Sequence, residues 1–208
     1  MMCRKLLYIA LMLGLLGLVS PVLATITTPT IENPSFEQPG SGDLTDWIDV
    51  PGWSSDTTAS NSGIQSGLPG VTDGIWTGYL YNGDPSVYNL TDHIIQLDEE
   101  FILQVDAQNN STDNPPALLE ISLFLDAYGD RITVASETVE VSDTWTTYTV
   151  GFYANTFPAV YNKIGIELAN VTPSGESWIN IDNIQFVPEP ATIALLGLGA
   201  LALLGRKR

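Results

Sequence analysis

Two stretches of the chain repeat their apolar residues with a period of two. In Phe101-Ile102-Leu103-Gln104-Val105-Asp106-Ala107, the side chains of Phe101, Leu103, Val105 and Ala107 share one face. In the second, Leu119, Ile121, Leu123 and Leu125 alternate against Glu120, Ser122 and Asp126. Successive side chains of a strand point to opposite faces, so each stretch reads as a half-buried strand. Further strand candidates are Thr25–Ile31, Gly74–Tyr81, His93–Leu97, Arg131–Val139, Thr146–Ala154, Lys163–Ala169 and Trp178–Phe186. Turn-rich segments such as Asn82-Gly83-Asp84-Pro85 and Thr172-Pro173-Ser174-Gly175 separate them. No window of ten residues before the C-terminal tail has helical periodicity. Nine short strands without an intervening helix rhythm predict an all-β fold, an antiparallel β-sandwich of jelly-roll type. In the last candidate strand Ile179 and Ile181 are odd-numbered, whereas Ile184 and Phe186 are even-numbered. The slip in apolar phase predicts a β-bulge between 181 and 184.

The two ends read differently from the middle. Arg4 and Lys5 precede an apolar stretch, Leu6 to Val19, and small residues lead up to Ala24. This is the pattern of a secretory signal peptide over residues 1–24, removed by signal peptidase. The one cysteine, Cys3, lies in that segment, so the exported domain, residues 25–187, has no thiol and is held by its core or by bound ions.

Between residues 25 and 187 there are two basic residues, Arg131 and Lys163, against 23 acidic ones, a formal charge of −21. Phosphate backbones are bound by a basic footprint, so nucleic acid is excluded as a partner. Divalent cations are plausible partners, because hard oxygen ligands are abundant. The chain has one histidine, His93, and no G-x-S-x-G, G-x-G-x-x-G or H-E-x-x-H pattern. The expectation is a domain that is not an enzyme, with His93 an ordinary strand-edge residue. In Gly74–Tyr81, alternation puts Trp76 and Leu80 on one face and Tyr79 and Tyr81 on the other. Sugar sites stack pyranose rings on aromatic faces, which makes Tyr79 and Tyr81 the candidate carbohydrate platform. Trp47 and Trp53 are expected to be core plugs.

Glu32-Asn33-Pro34-Ser35-Phe36-Glu37, followed by Asp46-Trp47 and Pro51-Gly52-Trp53, resembles the N-x-S-F-E... W... P-G-W opening of galactose-binding-like jelly-roll domains, a group that includes many carbohydrate-binding modules. Asp73-Gly74, Trp145-Thr146-Thr147-Tyr148-Thr149 and Ile181-Asp182-Asn183-Ile184 continue it in order. The resemblance implies a structural calcium held by Glu37 and Asp182, linking the first strand to the last. It also implies a carbohydrate ligand, here extracellular polysaccharide, with a structural biofilm-matrix or adhesion protein as the alternative.

The chain ends in Pro188-Glu189-Pro190, an apolar run from Ala191 to Gly205, and Arg206-Lys207-Arg208. This resembles the PEP-CTERM sorting signal of Gram-negative bacteria that make extracellular polysaccharide, and residues 188–208 are read as that signal. Fifteen helical residues reach about 22 Å, short of a hydrocarbon core of about 30 Å, so the expected helix is a transient anchor. The basic end is expected to stay in the cytoplasm. The resemblance implies an exosortase-type protease as partner and a final place at the cell surface or outside the cell.

Overall fold

The computed structural model describes residues 28–111, 116–155 and 162–187. The predicted signal peptide, the Pro188-Glu189-Pro190 triplet and the Arg206-Lys207-Arg208 end lie outside the described residues, as does the predicted C-terminal helix. Among the described residues no helix is long and apolar enough to cross a membrane.

The two alternating stretches become β5 (Glu100–Asn109) and β6 (Leu118–Ala127), and they lie in different sheets. The other strands are β1 (Ser54–Ser55), β2 (Gly63–Ser66), β3 (Trp76–Tyr81) and β4 (Val87–Ile94). After β6 come β7 (Asp130–Glu140), β8 (Thr146–Tyr153), β9 (Lys163–Asn170) and β10 (Trp178–Val187). One antiparallel sheet has the order β1-β4-β9-β6-β7, the other β2-β3-β10-β5-β8. Between them, Leu103, Val105 and Ala107 of β5 are buried together with Leu119, Ile121 and Leu123 of β6, Ile164 and Ile166 of β9, and Ile179 and Ile181 of β10. This is the jelly-roll-type sandwich that the alternation predicts. Burying the inner faces of both sheets supplies its main stabilisation.

Two expectations about strands need correction, and two strands were not foreseen. The strand expected at His93–Leu97 ends at Ile94 and begins at Val87. Its inward positions include Asn89 and Thr91, whose side chains donate to the carbonyls of Glu32 and Ile164, so the buried face does not read as apolar. Residues 28–31 form no strand. The edge strands β1 and β2 are short and rich in Ser and Gly, which hides them from a periodicity argument. The predicted bulge is present: the β10–β5 register shifts between Asp182 and Gln185.

The opening motif folds into a plug. Asn33 donates through Nδ2 to the carbonyls of Gln38 and Pro51 and accepts the Gln38 N–H, while its own carbonyl accepts Trp53 Nε1–H at 3.0 Å. These bonds gather Phe36, Trp47 and Trp53, whose ring centroids lie 5.1–6.3 Å apart. All three are buried, so Trp47 and Trp53 are core plugs as expected.

Glu37 and Asp182 both reach the segment 72–76 that leads into β3. Asp182 Oδ2 accepts the Thr72 N–H, the Thr72 hydroxyl and the Asp73 N–H at 2.9–3.0 Å. Glu37 Oε1 accepts the N–H groups of Ile75 and Trp76, both at 2.8 Å. The two carboxylates thus tie the opening turn and the last strand to one loop. Five N–H and O–H donors make this link, and the expected calcium ion would share the two carboxylates with them. Among the described residues no group of three or more His, Cys, Asp or Glu side chains could hold a metal ion.

Gly74 has φ of +72° and approaches Glu37 so closely that a Cβ would lie 2.1 Å from its Oε1. Gly74→Ala combines left-handed backbone strain with loss of this seat, and is expected to cost about 2 kcal/mol or more in denaturant unfolding. Burial pushes the Asp182 carboxyl above its usual range, partly offset by the bonds from Asp73, Thr72 and Asn183. A carboxyl raised on folding binds its proton more tightly in the folded state, so its contribution is full below the ordinary carboxylate value and is lost as pH rises through the folded one. Melting across this window should show a falling midpoint with rising pH, and a shallower fall in Asp182→Asn. A calcium ion at Glu37 and Asp182 would raise the midpoint by several degrees in excess calcium over chelator at neutral pH; coincident melts would leave the five donors as the link.

Candidate functional site

Phe124 breaks the pattern of its strand. The inward residues of β6 are odd-numbered, and Phe124 shares the opposite face with Glu120, Ser122 and Asp126, yet it is only 1 % exposed. It is covered on the face of the β1-β4-β9-β6-β7 sheet turned away from the core. Its cross-strand partner on β9 is Gly165, and a Cβ there would lie 2.2 Å from the Phe124 ring. Glycine is therefore required at 165 for the ring to lie flat on the strand. Tyr88 of β4 meets Phe124 edge-on, with centroids 6.3 Å apart at 80°.

Arg131, at the start of β7, covers this pair. Its guanidinium carbon is 4.0 Å from the centre of the Tyr88 ring and 5.9 Å from that of Phe124. Nη1 donates to Asp56 Oδ1 at 2.8 Å and Nη2 to Asp56 Oδ2, a bidentate pair, and Nε lies 3.6 Å from Glu167 Oε2. Asp56 directly follows β1, so the pair ties the two opposite edges of the sheet across its face. The other Glu167 oxygen accepts the Ser86 hydroxyl. Tyr88, Glu167 and Ser122 form one cross-strand row, Leu90, Gly165 and Phe124 the next, and Lys163, Asp126 and Arg131 the third. Both bases of the domain thus sit on one face, and Lys163 donates to Asp92 at 2.6 Å.

A hollow of about 340 Å³ opens beside Arg131, lined by Asp56, Gly129, Asp130 and Glu167. The hydrogen bond from Arg131 holds the Asp56 carboxyl below its usual range. The hollow therefore offers carboxylate acceptors and a guanidinium fixed over Tyr88. That combination recognises hydroxyl-rich molecules, and a carboxylate held ionised accepts protons poorly and donates none.

Tyr79 and Tyr81 lie on β3, in the other sheet. The Tyr79 hydroxyl donates to the Leu44 carbonyl at 3.1 Å. Burial, with Asp43 and Asp84 adding to it, pushes that hydroxyl's pKa up. Tyr81 packs on Trp178 with centroids 5.0 Å apart. The two rings share a face, as alternation predicts, but each already has its own neighbour. A second hollow, of about 430 Å³, lies between residues 28–32 and β4 and includes His93. His93 Nε2 is 2.9 Å from Glu99 Oε2 and its ring meets Phe101 edge-on.

The Tyr88–Phe124–Arg131 cluster had two signals in the sequence. Phe124 is an aromatic residue on the polar phase of a strand, and Arg131 is one of two bases in a strongly acidic domain. The Asp56 and Glu167 partners had none, because acidic residues occur throughout.

The described fold is shared with solved proteins. A cyclase from Fischerella sp. TAU superposes with a TM-score of 0.62 at 18% identity, covering 79% of this chain and 98% of that one. A cyclase from Fischerella sp. TAU in complex with 4-(1H-indol-3-yl)butan-2-one superposes with the same TM-score, identity and coverage. The CBM22-1 and GH10 modules of a Clostridium thermocellum endo-1,4-β-D-xylanase, complexed with xylohexaose, superpose with a TM-score of 0.51 at 11% identity, covering 79% of this chain and 29% of that one. At such identities the likeness shows the fold alone. No curated protein matches the chain in sequence. The PEP-CTERM protein-sorting motif matches residues 186–208, which marks an exported protein sorted toward the cell surface by exosortase. The family model described as HpiC1 cyclase matches residues 27–187, the whole sandwich, and the chain belongs to this HpiC1-like family.

Proposed function

We propose that the chain is an exported protein, sorted by an exosortase-type protease after transient anchoring in the inner membrane of a Gram-negative bacterium, whose sandwich binds carbohydrate of the extracellular polysaccharide. The observation that carries the binding reading is the Arg131 guanidinium, fixed over Tyr88 at the hollow and flanked by carboxylates. A pyranose presents axial C–H groups to an aromatic or guanidinium plane and hydroxyls to acceptors around it. On this reading the platform lies on the sheet opposite the one that carries the expected pair, Tyr79 and Tyr81.

The family match supports a second reading, in which the same hollow hosts a cyclase-type reaction on a small aromatic substrate. Acid catalysis needs a carboxyl that keeps its proton near neutral pH. Asp56 is held in the opposite state by Arg131, which favours binding over proton donation.

Intact mass spectrometry of the protein from the cell surface or the medium is expected to begin near Thr25 and to lack the Ala191–Arg208 run. Recovery of the full tail, in membranes only, would contradict processing. On a glycan array the mature protein is expected to bind a defined set of polysaccharides and to lose at least tenfold in affinity in Tyr88→Ala, with circular dichroism unchanged. A flat array, together with a calorimetric response to 4-(1H-indol-3-yl)butan-2-one, would favour the cyclase-type reading; a flat array without one would favour a structural matrix protein.

A further inference from the structure

We infer that the hollow beside Arg131 selects uncharged or amine-bearing sugars and rejects uronate-bearing or sulfated ones, an inference that rests on the glycan-binding reading above. Arg131 is the one base lining the hollow, against Asp56, Asp130 and Glu167. Its guanidinium has five N–H groups. Both η-nitrogens donate to Asp56, and the ε-nitrogen faces Glu167 at 3.6 Å. The end-on fork through the two η-nitrogens is filled by Asp56, and the side-on edge through Nε is turned to Glu167, so both edges already face carboxylates of the domain. The other base on this face, Lys163, is bonded to Asp92.

An acidic sugar entering the hollow therefore meets three carboxylates and a base already paired. A sugar hydroxyl meets acceptors, and a glucosamine ammonium meets acceptors of opposite charge. The rest of the domain acts the same way, since its formal charge of −21 between residues 25 and 187 repels polyanions at longer range. Asp56 and Glu167 are thus specificity-determining residues: they hold the guanidinium over Tyr88 and withhold it from anionic ligands.

The test is calorimetric titration of the mature protein with three hexasaccharides: a neutral β-glucan, a glucosamine oligomer and an oligogalacturonate. The wild type is expected to bind one or both of the first two at least tenfold more tightly than the uronate. Asp56→Asn combined with Glu167→Gln frees the guanidinium, and should narrow that ratio severalfold by gaining affinity for the uronate. Glu167→Gln alone serves if the double variant does not fold, with the same direction and a smaller change. Equal wild-type affinity for the uronate would overturn the inference and leave the glycan-binding reading in place. So would neutral binding that survives Tyr88→Ala, because the sugar would then sit elsewhere. If folded wild type and folded variants bind none of the three, the binding reading fails and takes this inference with it.

Discussion

The interaction on which much of the sandwich depends is the burial of one carboxyl group, Asp182, with hydrogen-bond donors gathered around it. Asp182 has no exposed surface, and its cross-strand partner in β5 is another acid, Asp106. Like charges directly opposite on a sheet are unfavourable, and an unpaired buried carboxylate is costly. The bulge at 182–185 resolves the conflict locally. It turns Asn183 so that its N–H meets Asp182 Oδ1 at 2.7 Å and its Nδ2 meets Asp106 Oδ2 at 3.0 Å. Thr147 donates its hydroxyl to the other Asp106 oxygen. The remaining Asp182 oxygen is filled by Thr72 and Asp73, and that requirement fixes the loop entering β3. Through Ile184 N–H, which donates to the Pro34 carbonyl, the same bulge also holds the opening plug. A domain with no disulfide thus ties its two ends by satisfying buried polar atoms.

The opposite sheet shows what an outward face can carry when it is not needed for the core. Phe124 lies outside the main apolar cluster, and its burial comes from Gly165 beneath it and from Tyr88 and Arg131 beside and above it. The Arg131–Asp56 pair is a weak source of stability, because Asp56 is 59% exposed and such pairs contribute about 0–1 kcal/mol. Its value lies in position. Held at both ends, the guanidinium is kept in one orientation over Tyr88, and little rotamer entropy remains to be lost when a ligand arrives.

How much of this was legible in the sequence depended on whether the signal was periodic. The strands β5, β6, β9 and β10, the bulge, and the burial of Trp47 and Trp53 follow from alternation, its slip and composition. β4 was placed too late because its inward face carries Asn89 and Thr91, polar residues satisfied by bonds that no pattern announces. Tyr79 and Tyr81 were correctly put on one face, but alternation cannot say that Leu44 comes back to cover the first and Trp178 the second. The site on the other sheet assembles Asp56, Tyr88, Phe124, Arg131 and Glu167 from five separate segments. Such a cluster exists only once strand order is known, and its sequence trace reduces to an aromatic residue out of phase and a rare arginine.

The sandwich itself leaves function open, since the same fold carries a Fischerella cyclase and part of a xylanase. Fold alone does not assign chemistry, and in this domain the titratable groups on the two outward sheet faces differ. A catalytic acid is made by withholding charge partners from a carboxyl, so that burial raises it. In this domain the carboxyl raised by burial, Asp182, is walled in by backbone donors on one sheet, while Asp56, at the mouth of the hollow on the other, is bound in a fork to Arg131 and kept ionised. The protonatable group and the accessible hollow therefore lie on opposite faces of the molecule. A sheet face whose charges are already fixed can hold a ligand by hydrogen bonds and stacking without changing its own protonation, and the proposed binding rests on that property.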